Sequence, residues 1–126
     1  MLASFCLAVG LLQTHVKDLV VTDQPTTPLH LAVGQKLVFS VYENASTGAS
    51  WTIKEPGKPG LKFLDISSDE PKSGSPPKPG EGATIRIRFQ AVKKGTYSIK
   101  LIYGRSWELA KGQKPWDSRS AKVVIQ

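Results

Sequence analysis

A single cysteine, Cys6, is the whole thiol complement of this chain of 126 residues. One thiol excludes an internal disulfide and any multi-cysteine metal site. Two histidines, His15 and His30, are too few for a zinc centre, so neither metal nor cofactor is expected. No apolar run is long enough to span a bilayer as a helix. The longest, Leu2 to Leu12, is interrupted by Ser4 and Gly10. No stretch keeps a helical period over a useful length. Pure basic runs of the kind that form nucleic-acid arms are missing as well. The net charge of +7 therefore reads as solvated sheet faces, and nucleic acid is not an expected partner.

The usual enzyme constellations are missing too. No serine lies in a Gly-x-Ser-x-Gly elbow. Asp69-Glu70 stands beside Pro71 in a turn-rich stretch and reads as a solvated loop, not a carboxylate dyad. Gly80-Glu81-Gly82 has no Lys-Ser/Thr behind it, and a strand pattern follows, so it is no phosphate cradle. The chain is not expected to be an enzyme.

What is present falls into two parts. Every Lys, Arg, Asp and Glu follows Val16. Residues 1–16 read as a signal segment, because the apolar run has the length of a signal-peptide core, although no basic residue precedes it. A buried N-terminal helix or strand is the alternative. A lipoprotein anchor at Cys6 is disfavoured by the bulk of Phe5 beside it. Loss of the segment leaves residues 17–126 without cysteine, which suits a secreted or periplasmic protein.

Residues 17–126 read as one domain built of short strands. Hydrophobic residues at 40% and charged residues at 21% suffice for an ordinary core. Leu29, Leu31 and Val33 alternate with His30 and Ala32. Leu37, Phe39 and Val41 alternate in the next run, and Trp51 and Ile53 in the one after. Ile85, Ile87 and Phe89 alternate with Arg86 and Arg88; Tyr97, Ile99, Leu101 and Tyr103 alternate with Ser98, Lys100 and Ile102. Short runs at Leu19–Thr22, Leu61–Ile66 and Val123–Ile125 complete the set. Period two buries one face and wets the other. Seven or eight such strands predict an all-β, immunoglobulin-like antiparallel sandwich. His30 falls on an outward position and reads as solvated.

Three connections carry unusual residues. Asn44-Ala45-Ser46-Thr47-Gly48 joins the Leu37–Val41 strand to the Trp51 strand. Gly80-Glu81-Gly82-Ala83 ends a Pro/Gly/Ser-rich stretch and opens the Ile85 strand. Arg105-Ser106-Trp107 follows Tyr103 at a strand end. In a seven-strand sandwich the loops at these three places gather at one end. Arg and Trp are enriched at binding hot spots. An adhesion or carbohydrate-binding module, with Trp107 and Trp116 as stacking platforms, is one reading of such a surface.

The three segments, in this order and spacing, resemble the chagasin family of immunoglobulin-like inhibitors of papain-family cysteine peptidases. That family's loops run Asn-Pro-Thr-Thr-Gly, Gly-x-Gly-Gly and Arg-Pro-Trp/Phe. The resemblance extends from Lys17 to Gln126 and includes Leu31-Ala32-Val33-Gly34, Trp51 and Phe89-Gln90-Ala91-Val92-Lys93-Lys94-Gly95-Thr96-Tyr97. It implies a monomeric, reversible inhibitor whose partner is a papain-family peptidase. The first loop enters the cleft, with Ser46 and Thr47 at its tip, and the other two grip the walls. Gly48 and Gly82 allow close backbone approach, and Arg105 with Trp107 forms a wall anchor. The chain departs from the pattern at Ala45 and Ser106, where the family has proline, and at Ala83, where it has glycine. Ala45 implies a less rigid first loop, and Ala83 implies strain if its position needs positive φ. Lys114-Pro115-Trp116 is a second candidate for the third motif, set aside because it lies far beyond the strand end. Asn44-Ala45-Ser46 also meets the N-glycosylation pattern, which a proline at the middle position would forbid.

Overall fold

A computed structural model describes residues 16–68 and 82–126. The proposed signal segment, save Val16, and the loop residues Gly80 and Glu81 lie outside the described residues.

Eight strands form where alternation was read. They are β1 (Leu19–Val21), β2 (Leu29–Leu31), β3 (Lys36–Glu43), β4 (Ala49–Pro56), β5 (Leu61–Ser68), β6 (Ala83–Ala91), β7 (Gly95–Arg105) and β8 (Asp117–Ile125). They make two four-stranded sheets, in the orders β1-β3-β6-β5 and β2-β8-β7-β4. The inward residues Phe39, Ile87, Phe89, Ile99, Leu101 and Val123 are almost wholly excluded from water. Phe39 meets Phe89 edge to face, with ring centroids 6.2 Å apart. Among the described residues every buried side chain is aliphatic or aromatic. His30 is exposed, as its position implied.

Three features were not anticipated. The short strands β1 and β2 join β3 and β8 in parallel, while the other pairings are antiparallel. The linker between them carries the chain from one sheet to the other. There Gln24 pairs with both the N–H and the C=O of Ser120, as a neighbouring strand would. A short helix, α1 (Ser106–Ala110), follows β7 where a loop was expected. Strand β8 begins six residues before the apolar run at Val123. Its first part is polar, so alternation could not reveal it.

A bulge between Phe63 and Asp65 shifts the register of β5 and sets Asp65 opposite Arg88. Arg88 donates to both carboxylate oxygens, with Nε–Oδ1 at 2.7 Å. These hydrogen bonds hold the Asp65 carboxyl below its ordinary pKa. The contribution is complete above the unfolded carboxylate pKa and is lost as pH falls through the lowered folded value.

The register fixes where the loops go. Glu43 at the end of β3 lies opposite Ala83 at the start of β6. Ala49 at the start of β4 lies opposite Arg105 at the end of β7, and Tyr103 lies opposite Asp117. The three motif-bearing connections therefore emerge at one end of the sandwich. Because Phe89 fills the middle of the core, Phe89→Ala should cost about 3–5 kcal/mol in urea unfolding. A loss under about 1 kcal/mol would contradict this packing.

Candidate functional site

Asn44 ends the extended run of β3, and its side chain starts a 3₁₀ turn over Ala45–Thr47. The Asn44 Oδ1 accepts from the Ser46 N–H at 3.2 Å and from the Ser46 hydroxyl at 2.6 Å. The Asn44 carbonyl accepts from the Thr47 N–H at 3.2 Å and the Thr47 hydroxyl at 2.6 Å. Gly48 closes the turn at φ +83° and donates to the Ala45 carbonyl at 3.0 Å. Asparagine suits this place because its short acceptor reaches a backbone N–H two residues on. Ala45, where the family has proline, is the first residue of this turn, and the bonds that close it come from its neighbours and from its own carbonyl.

The third segment holds this turn from the side. Arg105, the last residue of β7, donates from Nε to the Thr47 carbonyl at 2.9 Å and from a terminal nitrogen to Glu108 at 3.2 Å. Trp107, on α1, lays its ring against the Gly48 backbone; a Cβ built on Gly48 would stand 2.6 Å from the ring. The second segment behaves alike. Gly82 is crossed by the Tyr42 ring, so near that a Cβ there would overlap it. Both glycines therefore have an internal reason to be glycine: an aromatic ring from a neighbouring segment occupies the space. Ala83 is a paired strand residue of β6, and the strain expected of an alanine there does not arise. Ser106 is the exposed first residue of α1.

Beneath the loops runs a column of rings that the alternation pattern had shown only as core. Trp51 stacks on Tyr103 at 5.2 Å, and Tyr103 meets Trp116 edge to face at 5.9 Å. The guanidinium of Arg119 lies 5.4 Å from the Trp51 ring centroid. The Tyr103 hydroxyl accepts the Asn44 N–H at 3.0 Å. The Trp51 indole N–H donates to the Tyr42 carbonyl at 2.8 Å. Of the residues named from sequence, Asn44, Ala45, Ser46, Thr47, Gly48, Gly82, Ala83, Arg105, Ser106 and Trp107 lie at this end. Tyr42, Trp51, Tyr103 and Arg119 support them and were missed as a group. A tyrosine at an inward position carried no sign of a hydrogen bond to a loop. Arg119 sits in the polar half of β8, where nothing marked a strand.

The family model described as Chagasin family peptidase inhibitor I42 matches residues 30–121. The chain belongs to the chagasin family. That is a family of peptidase inhibitors, not of enzymes. Amoebiasin-2 of Entamoeba histolytica is 34% identical over 100 residues, covering 78% of this chain and 76% of that protein. The crystal structure of the cysteine protease inhibitor EhICP2 from Entamoeba histolytica matches with a TM-score of 0.71 and 26% identity, over 89% of this chain and 98% of that one. PbICP-C, solved in complex with falcipain-2, shares the fold at a TM-score of 0.52 and 20% identity, over 88% of this chain and 100% of that one.

In this chagasin-family domain the packing of Trp107 on Gly48 sets a clear expectation. Gly48→Ala places a β-carbon at positive φ and against the indole, and should cost about 1–3 kcal/mol. Adding Trp107→Ala removes the collision, so the double variant should lose less than the sum of the two single losses in urea unfolding. Strict additivity would show that the ring and the glycine do not interact.

Proposed function

We propose that this chain is a reversible, monomeric inhibitor of papain-like cysteine peptidases that occludes the active-site cleft with the three loops at one end of its sandwich. The observation that carries the reading is the internal use of the first loop's carbonyls. Those of Asn44, Ala45 and Thr47 each accept a hydrogen bond from within the protein. Cleavage requires a carbonyl aligned with the attacking thiolate. A turn closed in this way fills the cleft as a folded loop, not as the extended strand that a substrate presents. Arg105 and the ring column order the turn before binding, which reduces the entropy lost on association. Three loops suffice for a standard interface of roughly 800 Å² per partner. The cysteine protease inhibitor EhICP2 and the falcipain-2 complex of PbICP-C support the choice of target class. The uncharged apolar stretch Leu2–Leu12 supports export to the cell exterior or periplasm.

Inhibition without turnover is the direct expectation. The purified chain, incubated with papain and a small chromogenic substrate, should suppress hydrolysis at micromolar concentration and be recovered intact by mass spectrometry. Unchanged hydrolysis, or a chain cut within residues 44–48, would sink the reading.

The sequon supplies a second test. Asn44 is the only asparagine, and its side chain caps the turn that would enter the cleft. A glycan there is bulky and solvent-seeking. Protein from a glycosylating host with Asn44 occupied should lose inhibition, and enzymatic deglycosylation should restore it. Full occupancy with undiminished inhibition would exclude this loop from the cleft.

A further inference from the structure

Two indoles flank one guanidinium at the loop end. The Arg105 Cζ lies 5.9 Å from the Trp107 ring centroid and 5.0 Å from that of Trp116. The two rings come from opposite limbs of the β7–β8 connection. Trp107 sits on α1, and Trp116 stands on the return limb immediately before β8. The return limb is pinned, because the Trp116 N–H donates to the Tyr103 carbonyl at 2.7 Å and its ring packs edge-on against Tyr103.

Support of the loops explains only part of Trp116. A ring that served packing alone would be buried, as Trp51 is at 7% exposure. Trp116 remains 48% exposed and Trp107 52%. The chain has three tryptophans, and both exposed ones stand at this end, each within about 6 Å of the Arg105 guanidinium. Exposed valines such as Val33 and Val92 stand at the opposite end and offer far less surface. Adjacent aromatic surface held rigid and left in water is the signature of a binding hot spot.

We propose that Trp116 is a second wall contact of the inhibitory surface, covered by the peptidase together with Trp107, so that the β7–β8 connection grips by both of its limbs. This rests on the reading of the loop end as the peptidase-binding surface. The matching patch on the peptidase is apolar and flat, lying beside the one that takes Trp107. The charge between the rings does not call for an acid there, since Arg105 is already met by Glu108 and by the Thr47 carbonyl. Lys111 and Lys114, exposed on the segment between the two rings, favour an acidic rim.

The test labels the full chain with 5-fluorotryptophan, which yields three fluorine resonances, assigned through single Trp→Phe variants. A soluble paramagnetic agent reports the exposure of each ring, free and with papain. Trp107 and Trp116 should both lose their paramagnetic relaxation on binding, while Trp51 stays unchanged. Trp116→Ala should weaken inhibition about thirtyfold, through faster dissociation. Trp116→Phe, which keeps a ring on Tyr103, should match the parent in thermal unfolding and recover part of the inhibition. A Trp116 ring as exposed in the complex as in the free chain, with Trp107 covered, overturns the proposal and leaves the wider reading standing. Neither ring covered in a fully inhibited complex overturns both.

Discussion

The hydrogen bond from Arg105 to the Thr47 carbonyl joins the first and third loops at the loop end of the sandwich. Arg105 belongs to a strand that is paired on both sides, so its guanidinium starts from a fixed base. Thr47 belongs to a turn closed by bonds of its own and tied to β7 at its start by the Tyr103 hydroxyl. Without the Arg105 link, the far limb of the first loop would keep only the packing of Trp107 on Gly48. With it, the loop takes its position from β7. Trp107 repeats the link by packing on Gly48, and Glu108 keeps the guanidinium from turning away. Arginine suits this place better than lysine, because a planar fork can serve a carbonyl, a carboxylate and two ring faces at once.

Below that link the aromatic residues convert core packing into loop position. Tyr103 is buried within the sandwich, yet its hydroxyl accepts from the first loop and its ring carries Trp116. Trp51 is buried beside it and bonds to the Tyr42 carbonyl, and the Tyr42 ring in turn lies across Gly82. Each loop is thus in contact with a ring that is itself anchored in a strand. A surface ordered in this way loses little conformational freedom on binding. The same arrangement explains why two of the motif glycines stand where they do: each leaves room for a neighbouring ring.

Much of this was legible in the sequence. All eight strands overlap runs of alternating or β-prone residues, because burial of one face imposes period two directly. The gathering of Asn44–Gly48, Gly82–Ala83 and Arg105–Trp107 followed from strand order alone. The errors have physical causes. Five of the first six residues of β8 are polar, and Arg119 covers Trp51 there in place of an aliphatic side chain. Helix α1 is a single turn, too short for any period to register. Trp116 was set aside for its distance along the chain from the end of β7, but the return limb brings it back over Tyr103 and Arg105. Arg105 was read with Trp107 as a wall anchor; what no motif could show is that its guanidinium also bonds Thr47 and Glu108 within the protein.

Arg105 orders the first loop before binding, and Arg105→Lys probes this with the charge retained. Backbone amide order parameters for residues 44–48 and the dissociation rate from papain can be measured on the same variant. The expected result is lower order parameters confined to that loop, an unchanged melting temperature within a few degrees, and dissociation at least about tenfold faster. A loop as rigid as in the parent, with an unchanged dissociation rate, would contradict the claim that this one guanidinium sets the inhibitory surface.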